Sequence, residues 1–385
     1  MILHRKLLPT LTVAVGLLSL ACHGSQVRYQ AQAAPPEPPD VTGTLYVVGD
    51  AGLDTPGREL VLAHLGSDLE QVSARDPARA LVVTFLGDNI YDLHSGETAD
   101  EDDLAQLSAQ VAPVHEAPDA RGVFVPGNHD RVGTEGDKAG VTAIETQEAW
   151  LQRIGEGRMT LMPDDGCPGP ASVDVGPHLR LVLIDTEAIL RWPLEGCGEL
   201  EAFFGRLRDE LARDPDQDVV LAAHHPLASG GPHGGNVGLL EKVPILYYLA
   251  KKAGLNVQDL ASPKYTEMVE GLRSAIRASG ADPLAFAAGH DHSLQVIAMN
   301  GSGVPRFQLV SGSASKSERA RRVDGMRYAT EAHGYMRLDV GASGVRLSVY
   351  AVDEAMEGVE EVFGCMLRDP RGPAACPEAN VEDAP

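Results

Sequence analysis

The sequence predicts an α/β layered fold, and three observations predict it. Short apolar or β-branched runs alternate with longer stretches of mixed apolar and polar spacing through most of the chain. Residue types that bind metals recur where the short runs end. Beyond Gly289 the strand-like pieces follow one another without long helices, so a second, more antiparallel sheet region is expected.

Taken in order, residues 1–22 read as an export signal. Arg5 and Lys6 precede an apolar run from Leu7 to Ala21, broken by Pro9, Thr10, Thr12, Gly16 and Ser19 and short for a bilayer-spanning helix. Leu18-Ser19-Leu20-Ala21-Cys22 resembles a bacterial lipoprotein box, although Ser19 stands where a larger apolar residue is preferred. The expected location is the bacterial periplasm, the outer membrane surface or the extracellular space, with a lipidated Cys22 as the point of membrane attachment. Residues 23–41 carry Pro35, Pro36, Pro38 and Pro39 after a Gln-Ala-rich stretch, a composition suited to a linker.

The folded unit is expected over residues 42–353. Strands are predicted at Thr44 to Val48, Ala80 to Leu86, Gly122 to Val125, Leu179 to Ile184, Asp218 to Ala223, Leu284 to Ala288, Leu294 to Met299, Pro305 to Val310, Tyr335 to Val340 and Val345 to Val352. Helices are predicted at Arg58 to Ser73, Glu101 to Ala112, Thr142 to Ile154, Leu200 to Ala212, Val243 to Ala253 and Tyr265 to Ala278. Residues 354–385 read as an acidic tail. Setting Cys22 aside leaves Cys167, Cys197, Cys365 and Cys376, an even number in a chain read as exported. Proximity favours Cys167 with Cys197 and Cys365 with Cys376, although four cysteines allow three pairings.

Composition bounds the function. With 385 residues, 43% hydrophobic and 23% charged, the chain has the makeup of a globular protein. A formal net charge of −23 repels a phosphate backbone, which excludes nucleic-acid polymers as partners. It would also repel a small anionic substrate unless bound cations inverted the field inside the site.

Five blocks supply the means to hold such cations: Gly49-Asp50-Ala51-Gly52, Gly87-Asp88-Asn89-Ile90-Tyr91, Gly127-Asn128-His129-Asp130, His224-His225-Pro226 and Gly289-His290-Asp291-His292. Each follows a predicted strand, so the side chains can converge at one edge of the layers. Asp, Asn, His and Tyr suit iron, zinc or manganese. Two such ions a few ångströms apart acidify water and clamp the oxygens of an in-line displacement at phosphorus.

The order of these blocks resembles the calcineurin-like metallophosphoesterases. Gly52 stands where that superfamily usually has a histidine, and Tyr91 follows Asp88 by three residues. This exchange is similar to the purple acid phosphatases, and Gly-His-Asp-His-Ser-Leu-Gln looks closest to their small, tartrate-resistant type. The resemblance covers about residues 44 to 312. It implies two packed mixed β-sheets flanked by helices, the four-layer αββα sandwich, as the catalytic domain. It implies a ferric site of Asp50, Asp88, Tyr91 and His292, and a site for a divalent ion (iron, zinc or manganese) of Asp88, Asn128, His224 and His290, with Asp88 bridging.

The expected activity is acid hydrolysis of a small phosphate monoester by direct attack of a metal-bound hydroxide. His129 binds phosphate or protonates the leaving alkoxide, Asp130 orients His129, and His225 is a phosphate-contact candidate. A phosphodiesterase or nucleotidase with the same centre is the alternative, followed by an exported metal-binding protein without turnover. His233, on a glycine-rich loop, reads equally as a substrate contact or a solvated histidine. His64, His94, His115, His178 and His333 read as structural or surface residues, and Arg319, Arg321 and Arg322 as a solvated face.

Overall fold

The computed structural model describes residues 27–32, 34–91, 101–131, 138–234, 260, 262–369 and 376–383. The export signal, Cys22, His94 and the helix expected over 243–253 lie outside them.

In chain order the first half contains β1 (Val27–Tyr29), β2 (Val41–Val48), α1 (Pro56–Arg75), β3 (Ala80–Phe85), α2 (Glu101–His115), β4 (Ala120–Phe124), α3 (Lys138–Ile154), β5 (Met159–Leu161), β6 (Ala171–Asp174) and β7 (Leu179–Leu183). There follow α4 (Thr186–Leu190), α5 (Leu200–Leu211), β8 (Asp218–Ala222), α6 (Pro263–Ser279), β9 (Ala285–Ala288), β10 (Leu294–Ala298) and β11 (Phe307–Ser311). The chain closes with β12 (Met326–Thr330), β13 (Gly334–Gly341), β14 (Gly344–Val352), β15 (Val359–Arg368) and β16 (Val381–Asp383).

The strands form two mixed sheets of seven strands each, ordered β15-β14-β13-β2-β3-β4-β5 and β12-β10-β11-β9-β8-β7-β6. In the first, β2, β3, β4 and β5 run parallel. In the second, β7, β8, β9 and β11 do.

Side-chain alternation explains the layering. Leu45 and Val47 of β2 point into a core shared with Leu181 and Leu183 of β7, while Tyr46 and Val48 point the other way onto Val61, Leu65 and Leu69 of α1. Val182 and Ile184 likewise face Phe203 and Leu207 of α5 and Leu272 and Ile276 of α6. The result is helices, sheet, sheet, helices: a four-layer αββα sandwich. Local signals set the helix ends. The Thr55 side chain caps α1 with Pro56 behind it, and Ser262 and Pro263 repeat the arrangement at α6, which stops at Gly280 with φ 70°.

Two expectations are corrected. The acidic tail after residue 353 supplies β15, an edge strand whose Phe363, Cys365 and Leu367 are buried in the central core. Its first half, Val359-Glu360-Glu361-Val362, is a half-exposed edge and reads as solvated. Residues 23–41 are not all linker, because β1 pairs antiparallel with β16 and Glu37 bonds Arg337 at 2.8 Å. Cys167 is bonded to Cys197 and Cys365 to Cys376, as proximity favoured. No helix among the described residues is long and apolar enough to cross a membrane.

Candidate metal centre

Five strands end at one place. β2, β3 and β4 are adjacent and parallel in one sheet, β8 and β9 in the other, and their carboxyl ends deliver the five blocks into the cleft between the sheets. Backbone bonds tie the ends together: Asp50 N–H to the Gly87 carbonyl at 3.1 Å, Gly52 N–H to Asp88 at 3.0 Å, and Gly289 N–H to His224 at 3.0 Å.

Three expected ligands occupy the left-handed backbone region that non-glycine residues seldom enter: Asp50 at φ 59°, Asp88 at φ 51° and His290 at φ 69°. Each such residue costs about 1–3 kcal/mol, and such strain concentrates at functional sites. The neighbouring glycines are forced by crowding. A Cβ on Gly127 would stand 2.4 Å from Asp88 Oδ1, and one on Gly289 would stand 2.4 Å from Asp50 Oδ2.

The donor atoms face one another. Asn128 Oδ1 lies 2.9 Å from His224 Nε2 and 3.1 Å from His290 Nδ1, and His224 Nε2 lies 3.4 Å from Asp88 Oδ1. On the other side of Asp88, the Tyr91 hydroxyl donates to Asp50 Oδ1 at 3.2 Å, and His292 Nε2 stands 3.5 Å from the same oxygen. One ligand atom each from Asp50, Asp88 and His224 fall within 4.8 Å of one another. All seven expected ligands therefore meet at one place.

The arrangement around the imidazoles fits a metal. His224 donates its Nδ1 proton to the Leu86 carbonyl at 2.8 Å, which leaves the Nε2 lone pair for a cation. His292 presents Nε2 inward while Nδ1 faces Glu318 Oε2 at 3.2 Å. Burial works against charge at Asp88, but the imidazoles of His224 and His129 outweigh it and hold the carboxyl below the usual carboxylate range. Burial also opposes charge on His224, yet Asp88 and Asp50 raise its pKa. Burial, with Asp50 and Asp88 beside it, pushes the Tyr91 phenol far up, so a phenolate there needs a cation on its oxygen. The donor set thus fits cations.

The remaining site residues divide. His129 is exposed, stacks against Tyr91 with ring centroids 4.6 Å apart, and donates its backbone N–H to Asp88 Oδ1 at 3.0 Å. It stands at the mouth of the cleft. Asp130 does not orient it. Its buried carboxylate accepts from Gly127 N–H at 2.7 Å, Asn89 N–H at 3.2 Å, Asn89 Nδ2 at 3.1 Å and Ile90 N–H at 2.9 Å, tying the Asp88 loop to the Asn128 loop. Burial and the Asp88 charge push Asp130 up to about 7.

His225 is fully buried, with Nδ1 on Thr186 Oγ1 at 2.8 Å and Nε2 3.7 Å from Glu187 Oε2. It packs against His290, ring centroids 4.5 Å apart. One ligand atom of His225 also lies within 4.8 Å of one each from His224 and His290. Its Nδ1 is engaged by Thr186, behind the His290 ring.

His233 joins the site, its ring centroid 4.4 Å from that of His290. Asp291 Oδ1 accepts the His233 N–H at 2.9 Å and Gln295 holds the adjoining Gly230 N–H at 2.8 Å, so the loop is fastened to the block that follows β9. Lys316, which carries no motif, places Nζ 3.5 Å from the Tyr91 ring centroid. The arginine cluster stays on the surface, Arg319 pairing with Glu331 at 3.1 Å and Arg322 with Glu378. His64 and His333 bond to Tyr335 and Ser313, as structural histidines do.

No family model matches the sequence, and no curated protein matches it. Solved structures do. The chain is similar to GAP50, the anchor in the inner membrane complex of Plasmodium, at 16% identity and TM-score 0.55 over 86% of this chain and 89% of that one. It is similar to PhoD at 11% identity and TM-score 0.53 over 92% of this chain and 73% of that one. At these identities the likeness shows the fold.

Proposed function

We propose that this protein is an exported, binuclear-metal phosphoric-ester hydrolase of the purple acid phosphatase type, acting on small phosphate monoesters. The observation that carries the reading is the meeting of Asp50, Asp88, Tyr91, Asn128, His224, His290 and His292 at five strand ends, three of them held in left-handed backbone. Asp50, Asp88, Tyr91 and His292 would hold a ferric ion, and Asp88, Asn128, His224 and His290 a divalent iron, zinc or manganese. When bound, such cations acidify water and draw charge from phosphoryl oxygens.

The residues around them do the rest. The Leu86 carbonyl fixes the imidazole of His224, and Glu318 faces Nδ1 of His292, so that each turns one nitrogen inward. The Asp130 carboxylate locks the two loops that carry Asp88 and Asn128. His129, anchored through its own backbone to Asp88, projects into the mouth and delivers a proton to the departing alkoxide oxygen. His233 closes the side above His290. The two disulfides accord with an oxidising compartment, which supports export.

Elemental analysis with a visible spectrum, followed by hydrolysis of an activated aryl phosphate on the same sample, tests this reading. Iron with a tyrosinate charge-transfer band and acid-favoured hydrolysis is the expected result. A colourless zinc or manganese enzyme would remove Tyr91 from the ligand set. Metal uptake without hydrolysis of any activated ester would overturn the enzyme.

A further inference from the structure

Lys316 is an unusual residue for its surroundings. It is a half-buried cation in a chain of net charge −23, and among the described residues no carboxylate pairs with its ammonium group. Its Nζ lies over the Tyr91 ring instead, 3.5 Å from the centroid. The ammonium is near enough to His129 and His292 to disfavour a proton on either.

The backbone on both sides of Lys316 is fixed to the metal centre. Ser315 donates its N–H to the Asp50 carbonyl at 3.1 Å and its hydroxyl to the same oxygen, while Thr55 Oγ1 bonds the Ser315 carbonyl at 3.2 Å. Glu318 N–H donates to the His292 carbonyl at 2.6 Å. A flexible lysine is thereby carried on a rigid strap that spans the Asp50 and His292 blocks, beside the imidazole at the mouth. An ammonium with no carboxylate partner among the described residues has a natural counterpart there, an anion entering the cleft.

We infer that Lys316 binds the phosphoryl group of the substrate as a point charge and selects dianionic phosphate monoesters over monoanionic diesters. The inference rests on the phosphoesterase reading and sharpens it. Attraction scales with charge, so a single cation favours the doubly charged ester, and its removal costs the monoester more.

The test compares the metal-loaded full chain with its Lys316→Gln and Lys316→Arg variants. Calorimetry follows inorganic phosphate binding, and hydrolysis of an aryl monophosphate is set against that of a bis-aryl phosphate, both at about pH 7, above the monoester's second pKa of about 6. With Lys316→Gln, phosphate affinity should fall about 10-fold, monoester kcat/KM about 30-fold and diester kcat/KM only about 5-fold, at unchanged metal content. Lys316→Arg should recover part of each loss.

Wild-type phosphate affinity and an unchanged monoester-to-diester ratio in Lys316→Gln, beside an active parent, would overturn the role of Lys316 alone. Loss of metal in that variant would show instead a structural partner of Tyr91, and would also overturn it. A parent that takes up metal but neither binds phosphate nor hydrolyses an ester overturns the phosphoesterase reading, and this inference with it.

Discussion

At the scale of single residues, His129 and Asp130 are neighbours with opposite duties. His129 is exposed, and it donates its backbone N–H, rather than a ring nitrogen, to Asp88. His129→Ala should therefore lower kcat about 100-fold, the range of a lost proton donor, while metal per chain stays constant by elemental analysis. Loss of both metals would contradict that role. Asp130 is buried and carries four donors, and its carboxyl is raised from 3.8 to about 7 by burial and by Asp88. The folded chain then holds this proton more tightly than the unfolded one. The contribution to stability is fully present below the unfolded value and is lost as pH rises through about 7. In the metal-free protein, the melting temperature of the wild type minus that of Asp130→Asn should fall between about pH 4 and pH 7. Parallel pH courses for the two proteins would discard this account.

At the scale of elements, β15 decides how much of the chain is needed to fold. Phe363, Cys365 and Leu367 are buried in the core between the sheets, and Arg346 of β14 bonds Glu361 at 2.7 Å. A chain ending after Asp353 should yield little soluble protein, since it would bare the β14 edge and open the core. A truncated form with the parent's melting temperature would make the segment a tail after all. The sequence hid β15 because its first half, Val359-Glu360-Glu361-Val362, is half exposed at the sheet edge and lies in an acidic stretch that reads as solvated. β5, β6 and β12 are three to five residues long, too short for a period to show. The interior strands of both sheets were legible, because burial on two faces makes them continuous apolar runs. So was the convergence of the Asp, Asn and His blocks at their ends. His233 was legible only as one of two equal readings, and Lys316 not at all, because the fold, rather than any spacing, brings them to the cleft. His225 and Asp130 shared blocks with true neighbours of the cleft, but their side chains turn inward, and a motif does not record direction.

At the scale of the whole molecule, the balance of charge makes bound metal part of the stability. Asp50, Asp88, Asp130, Glu187 and Asp291 are all buried at or behind the cleft, in a chain whose net charge is −23. Cations there would neutralise carboxylates that burial otherwise disfavours. A ligand at a thousand times its Kd stabilises the folded state by about 4 kcal/mol, so a chelator that strips the metal should lower Tm by roughly 5 °C. The size of that drop must depend on pH. Burial opposes a proton on His224, but Asp88 and Asp50 outweigh it and raise the pKa above the ordinary 6.5. In the metal-free protein that proton stabilises the fold below 6.5, and the benefit is lost as pH rises through the raised value. Metal binding must expel the same proton, and with it the one that His292 holds for the same reason, with Asp50 and Glu318 as its carboxylates. The metal-free protein thus gains on acidification what the loaded protein cannot. The gap in Tm between the loaded and stripped forms should narrow steadily from about pH 8 to pH 5. Calorimetric scans of both forms across that range measure it, and a gap that stays constant or widens on acidification would mean that His224 and His292 do not hold the ions.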